Sequence, residues 1–266
     1  MLEAQSTKSW IAAGTVGAYV GYGFLLLPCI VILAASFGNA VGIAFPPRHL
    51  SLTLYRAFFS DPEWVSSGVR SLYIGIAVTL LCALTGFPAA YFLVRISSAS
   101  KDIIEWAFYL PLIVPTIITA LGTYLSFSHV GLIGTTTGLI LAHSVATLPF
   151  FMLTVSAGLM QIDPSVEVAA SIMGASKLVV FRKITLPLVA PALAAGALFV
   201  FLRSFDEAVV SNFICSPTTM TLPVKIYTSI QWDISPIITA VSGVMTLVSL
   251  VACLTIALSK TNLPGF

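Results

Sequence analysis

The chain has 266 residues, 58% of them hydrophobic and only 8% charged, and its mean hydropathy is +1.03. A soluble domain carries about 25% charged residues to solvate its surface; twelve Lys and Arg and ten Asp and Glu are too few to cover a globule of this size. That balance excludes a soluble enzyme, a disordered chain and a nucleic-acid binder, and leaves a protein whose solvent is lipid.

The charges are spaced as well as scarce. Stretches without Asp, Glu, Lys or Arg run for 39 residues from Lys8 to Arg48, 24 from Arg70 to Arg95 and 57 from Glu105 to Asp163. Two more cover 19 residues from Lys183 to Arg203 and 26 from Asp233 to Lys260. About 20 helical residues cross a bilayer core. The 57-residue stretch would be roughly 85 Å long as one helix, so it folds back, and Ser128–Gly138, with Gly131, Gly134 and three threonines, is the predicted turn. Six spans result, at about 14–36, 70–94, 105–127, 138–159, 190–213 and 235–258. Lipid offers no partner to unpaired backbone groups outside a helix or a closed barrel, and runs that are apolar throughout lack the alternation of a barrel. The expected fold class is therefore an all-α membrane protein, one transmembrane domain over residues 1–266.

The first span reads as a retained anchor, being too long for a signal peptide and followed by no clear cleavage signature. Six spans put both termini on one side. With that side cytoplasmic, the inner segments hold Lys8, Arg95, Lys101, Lys177, Arg182, Lys183 and Lys260, and the outer ones Arg48, Arg56 and Lys225. The bias predicts cytoplasmic termini. In the outer segment 37–69, Phe45-Pro46-Pro47, Tyr55, Phe58-Phe59 and Asp61-Pro62-Glu63-Trp64 predict a short helix on the outer face. Trp106, Phe108 and Tyr109 open the third span as an interfacial aromatic belt or as part of the route for solute, and Pro111 and Pro115 remove helix hydrogen bonds and predict a bend or a gate. Cys29, Cys82, Cys215 and Cys253 have neither metal-ligand nor redox spacing and read as small packing residues. His143, inside the fourth span, reads as a satisfied interior histidine rather than a proton relay. The sequence has no glycine-rich phosphate loop and no Gly-x-Ser-x-Gly elbow.

The inner segment Gln161–Pro191 is the most specific feature. Asp163-Pro164 is a helix start, an N-cap acceptor followed by a residue that needs no amide hydrogen. Ala169 and Ala170 allow close approach of another surface, Gly174 permits a sharp turn, and Val179, Val180 and Phe181 make a second short amphipathic segment before Pro187 and Pro191 restart a membrane helix. Two readings stand: a helix–turn–helix that docks a partner, and an interfacial loop held by headgroups.

Glu167-x-Ala169-Ala170-x-x-x-Gly174 and then Ile184-x-Leu186-Pro187, after the fourth of six spans, resembles the EAA loop of ATP-binding-cassette (ABC) importer permeases of the MetI-like superfamily. Val168 stands where that family usually has its glutamate, and Glu167 lies one residue earlier. Ser71-Leu72 and Leu110-Pro111-Leu112-Ile113-Val114-Pro115 extend the likeness. It implies that Glu167, Ala169, Ala170, Gly174, Ile184, Leu186 and Pro187 couple the chain to a cytoplasmic ATPase dimer. It also implies a second permease subunit, homologous or identical, and a periplasmic solute-binding protein. The chain itself would bind no cofactor and catalyse no reaction, ATP and Mg being held by the partner.

In the fifth span Arg203-Ser204-Phe205-Asp206-Glu207 places three charges near the middle of an apolar stretch, where each costs about 2.5–3.5 kcal/mol on insertion scales. Arg203 lies one helical turn from both carboxylates. The cluster either neutralises itself against another helix or lines a pathway with net negative charge. Ser204-Phe205-Asp206-Glu207 together with Thr221-Leu222-Pro223-Val224-Lys225-Ile226-Tyr227 resembles the spermidine/putrescine branch, which implies an organic cation as solute, with Arg203, Asp206, Glu207 and Tyr109 as pathway candidates. Other branches carry phosphonates, opines or iron. A stand-alone secondary transporter is the alternative outside the family, disfavoured by the absence of a detectable inverted repeat; a scaffold without transport is the other.

Overall fold

The structure is a computed structural model that describes residues 2–39, 45–96, 101–232 and 235–261, with side chains described from residue 14 to 251 within those ranges and at 254. Every regular element among the described residues is helical. The chain falls into two compact units, Met1–Pro62 with Ser229–Val251 and Glu63–Thr228 with Ala252–Phe266.

In the first unit, α1 (Leu2–Ser36) includes the apolar stretch Gly14–Ser36, whose side chains are exposed along most of its length, as suits a surface wetted by lipid. The short helix expected in the outer segment is α2 (Thr53–Ser60), which buries Leu54 and Phe58 and leaves Phe59 exposed. Ser36 Oγ lies 2.7 Å from the Tyr55 hydroxyl, and the Phe37 and Tyr55 rings are 5.5 Å apart. A Cβ on Gly243 would meet Tyr55 Oη at 2.6 Å, so a side chain there displaces the tyrosine.

The second unit is built on three helices, α3 (Pro62–Arg95), α6 (Thr136–Met160) and α9 (Leu186–Phe205). At 1.5 Å per residue α3 is roughly 51 Å long, so it projects well beyond a ~30 Å core. Its buried face, Ser67, Ser71, Ile74, Gly75, Val78, Cys82, Gly86, Ala90 and Leu93, recurs mostly every three or four residues and is rich in small side chains. Small residues let membrane helices approach, because lipid supplies no hydrophobic drive and dispersion must do the holding. Phe151 of α6 is fully buried between two of them: added Cβ atoms on Gly86 of α3 and Gly196 of α9 would lie 2.8 and 3.2 Å from its ring. Gly158 of α6 and Ala192 of α9 form a still closer crossing.

Two predicted spans are not continuous. The 105–127 span is α4 (Lys101–Ile113) and α5 (Thr116–His129), bent by 106°. Pro115 has no N–H to give the helix and forces Val114 out of helical conformation, so the break falls where the proline signal put it. The 190–213 span is α9, which ends at Phe205, followed after Asp206–Ala208 by α10 (Val209–Ile214). The expected turn at 128–138 is present, with Gly131 and Gly134 at φ 69° and 73°, where only glycine is unstrained. Gly134 N–H donates to the Ile214 carbonyl at 2.8 Å, tying that turn to the end of α10.

After α10 the chain forms α11 (Leu222–Trp232) and α12 (Ile237–Thr261), the latter at the site of the sixth predicted span. Among the described residues, four helices are long and apolar enough to cross a membrane, or five with the bent pair counted as one; of α12, Ile237–Val251 is a shorter apolar stretch. Cys253 and the side chains of Lys8 and Lys260 lie outside the described residues. Cys29, Cys82 and Cys215 are free thiols.

Candidate coupling face and solute pathway

The inner segment folds as α7 (Pro164–Ile172), α8 (Lys177–Val180) and a π-helical turn, Phe181–Thr185, that runs into α9. Asp163 caps α7 by accepting the Ser165 N–H at 2.8 Å. That bond, then the Ser165 hydroxyl, holds its carboxyl below the usual carboxylate range, so the cap operates at neutral pH and is lost as pH falls through the depressed pKa. Gly174 sits at φ 88°, and the Ala175 N–H donates back to the Ala170 carbonyl at 3.1 Å, the six-to-one bond of a Schellman stop. Ser176 caps α8 through the Val179 N–H.

This elbow shows an apolar face to solvent. Ile172 and Met173 are 81% and 83% exposed, and Val166, Val168, Leu178 and Val179 are exposed beside them. Ala169 is exposed too, Ala170 is buried, and no atom of the chain lies within 4 Å of a Cβ placed on Gly174. Ile184 and Leu186 are half-buried and Pro187 is exposed at the start of α9. A cleft of about 870 Å³ at the elbow is lined by Tyr91 of α3, by Glu167, Val168 and Ile172 of α7, by Leu178 of α8 and by Phe181. Glu167 is tied into its own chain. Its Oε1 accepts from Arg95 Nη2 at 3.2 Å and from the Thr185 hydroxyl at 2.8 Å, with only 15% of the side chain exposed.

The charged cluster stands at the other end of the second unit. Arg203 lies 17 residues along α9 from Leu186, about 26 Å at 1.5 Å per residue, so the charges mark the end of a helix rather than the middle of one. Glu207 is 1% exposed: Oε1 accepts from the Val209 and Val210 amides, each at 3.0 Å, and Oε2 lies 2.9 Å from Arg203 Nη2. The carboxylate thus restarts the helix by satisfying its first amides. His143 of α6 bridges the break, one ring nitrogen 2.9 Å from Ser204 Oγ and the other 2.8 Å from Ser211 Oγ, which makes it the satisfied interior histidine the sequence suggested. Asp206, at the break itself, is exposed.

The four pathway candidates do not converge. Arg203 and Glu207 neutralise each other and Asp206 remains as the exposed carboxylate. Tyr109 is elsewhere, on α4 within hydrogen-bonding reach of Ser156. Ser156 is 13 residues along α6 from His143, roughly 20 Å away. Residues 220–225 clamp the N-terminal part of α3: Leu222 N–H donates to Ser71 Oγ at 2.8 Å, Lys225 pairs with Glu63 and lies over the Trp64 ring, and Arg70 donates to the Met220 carbonyl at 2.7 Å.

Residues 75–262 match the family described as "Binding-protein-dependent transport system inner membrane component". The chain belongs to this family. It is an ABC importer permease with the MetI-like helical fold, a multi-pass membrane protein. The permease is 28% identical over 233 residues to the "Spermidine/putrescine transport system permease protein PotC" of Haemophilus influenzae, covering 87% of this chain and 90% of that one. It is 30% identical over 224 residues to the "Putative 2-aminoethylphosphonate transport system permease protein PhnV" of Salmonella typhimurium, covering 84% of each. Its fold matches a chain in the crystal structure of a bacterial ABC transporter involved in the import of the acidic polysaccharide alginate. The TM-score there is 0.75 at 16% identity, with 97% of this chain and 98% of that one covered.

Two features of the permease escaped sequence reasoning. Arg95 was counted only for orientation, though it holds Glu167, and His143 was placed inside a span without its partners. Both contacts join residues more than sixty positions apart, and no local signal marks them.

Proposed function

We propose that the permease conducts an organic cation of the polyamine class inward from a periplasmic solute-binding protein, by alternating access driven by a cytoplasmic ATPase dimer that holds ATP and Mg. The termini are cytoplasmic, which puts α7 and α8 on the ATPase side and α2 on the side where the binding protein docks. A second permease subunit, a homologue or a copy, completes the pathway.

The observation that carries this reading is the exposed apolar elbow of α7 and α8. Ile172 and Met173 are exposed at a helix end beside Val166, Val168, Leu178 and Val179, and a contiguous exposed apolar patch of that kind marks an interaction site, here read as a protein contact. Gly174 makes the elbow possible. Gly174→Asp is expected to abolish solute-stimulated ATP hydrolysis by the assembled complex while leaving membrane insertion intact, because a Cβ at φ 88° strains the turn and a new charge enters the docking face. Normal stimulation in that variant would refute the docking assignment.

The exposed Asp206 at the α9–α10 break supplies the charge for a cationic solute. Asp206→Asn is expected to lower spermidine uptake about tenfold, the equivalent of ~1.4 kcal/mol, with ATPase assembly unchanged; uptake at the unaltered rate would remove Asp206 from the pathway. The likeness to PhnV supports a second reading, an aminophosphonate solute, for which the partly exposed Arg203 offers the anion partner. Competition of the two solutes for uptake separates the readings.

A further inference from the structure

We infer that Glu167 is a positioning residue of the coupling step, acting inside the permease through Arg95 and Thr185 rather than as a contact to the ATPase. The inference rests on the docking reading above and assigns the residue that passes the movement on.

Three elements meet at this carboxylate. Arg95 is the last residue of α3, and its guanidinium spans two partners: Nη2 reaches Glu167 at 3.2 Å, and both terminal nitrogens reach the Ile162 carbonyl at 3.4 Å, just past the end of α6. Thr185, fully buried at the end of the π-turn, donates its hydroxyl to the same Glu167 oxygen at 2.8 Å. Tyr91, one turn before Arg95 on α3, faces the carboxylate from the cleft. A shift of α7 therefore cannot leave α3 and the start of α9 behind without breaking charge-assisted bonds.

The rest of α7 offers no comparable tie. Asp163 and Ser171 bond only within the segment, and a Cβ on Gly174 would meet nothing within 4 Å. Among the described residues, Glu167 makes the side-chain hydrogen bonds between α7 and the membrane helices. A π-turn is a local widening of the helix, and such turns are frequent at functional sites. Here it places Thr185 where a tug on Glu167 is felt at the first turn of α9, whose other end carries Arg203.

The test is a double-mutant cycle on the complete complex in proteoliposomes, with Arg95→Ala, Glu167→Ala and the double variant, reading ATPase retention, basal ATP hydrolysis and solute-stimulated hydrolysis. The expected result is ATPase retained at the unaltered ratio, basal hydrolysis within about twofold, and stimulation reduced about tenfold by each single change and no further by the double one, since one link is cut each time. A purely structural role would lower basal and stimulated rates together, and that outcome overturns the inference. So do effects that multiply in the double variant, normal stimulation in Glu167→Ala, or loss of the ATPase with Glu167→Ala alone, which would make the residue a partner contact. Should Glu167→Ala fail to insert, Glu167→Gln against Arg95→Gln gives the same cycle with the ion pair removed and much of the side-chain volume kept. Absence of the ATPase from the unaltered complex would sink the docking reading and the inference together, whereas the other contrary outcomes sink only the inference.

Discussion

Gly158→Val should destabilise the permease more than any other single change named here. A Cβ at position 158 would lie 2.3 Å from the Cβ of Ala192, where ordinary carbon contacts are about 3.5–4.0 Å. Alanine has no rotamer by which to withdraw, so α6 and α9 must separate by more than an ångström along their crossing. Phe151 on α6, about two turns away, would lose its contact with Gly196 of α9. Overpacking a close crossing costs typically 1–3 kcal/mol, and the rigid neighbour puts this site at about 3 kcal/mol or above. The measurement is the thermal midpoint of the detergent-extracted complex, with Gly122→Val as the control, because nothing lies within 4 Å of a Cβ there. Ala192→Gly should restore part of the loss in the Gly158→Val background. A Gly158→Val protein as stable as the parent would mean that the two helices do not cross as described.

Glu207→Ala should be the second most damaging change, and more damaging than Glu207→Gln. The alanine strips the Val209 and Val210 amides of their acceptor and leaves Arg203 without its counter-charge at the α9–α10 break. A lost helix cap costs about 1 kcal/mol. Breaking a buried ion pair costs ~3–5 kcal/mol, discounted here because the Arg203 side chain is 37% exposed and recovers part of its hydration. The sum is about 3 kcal/mol. Glutamine loses the ion pair as well, its –NH2 standing where Glu207 Oε2 faced Arg203, but keeps an oxygen on both amides, so it spares the capping share of about 1 kcal/mol. Thermal unfolding of the two variants side by side checks the ordering; equal losses would show that the capping bonds contribute nothing.

The sequence carried the parts of this structure that local chemistry decides. Charge-free runs became helices because lipid leaves the backbone no other choice, and Asp163-Pro164 and Gly174 bounded α7 because a cap and a left-handed residue act within a few positions. Pro115 marked the α4–α5 break, although the 106° angle depends on what each half packs against. The break after Phe205 was hidden for the opposite reason. Arg203 and Glu207 have helical spacing and do form the predicted pair, yet Glu207 also takes the amides of Val209 and Val210, which ends one helix and starts another. Composition does not reveal that competition. Likewise the EAA-like segment was legible as a helix with an apolar side, while the direction of Glu167 depended on Arg95, 72 residues away. Grouping Tyr109 with the acidic cluster failed because helix order in space, rather than residue type, decides which side chains share a pathway.

Uptake of labelled spermidine into proteoliposomes holding the complete complex, with binding protein outside and ATP inside, tests the central claim most directly. The account predicts uptake that requires the ATPase, ATP and the binding protein together, and that disappears in the Gly174→Asp complex. Uptake by this chain alone under an ion gradient, indifferent to ATP, would contradict it.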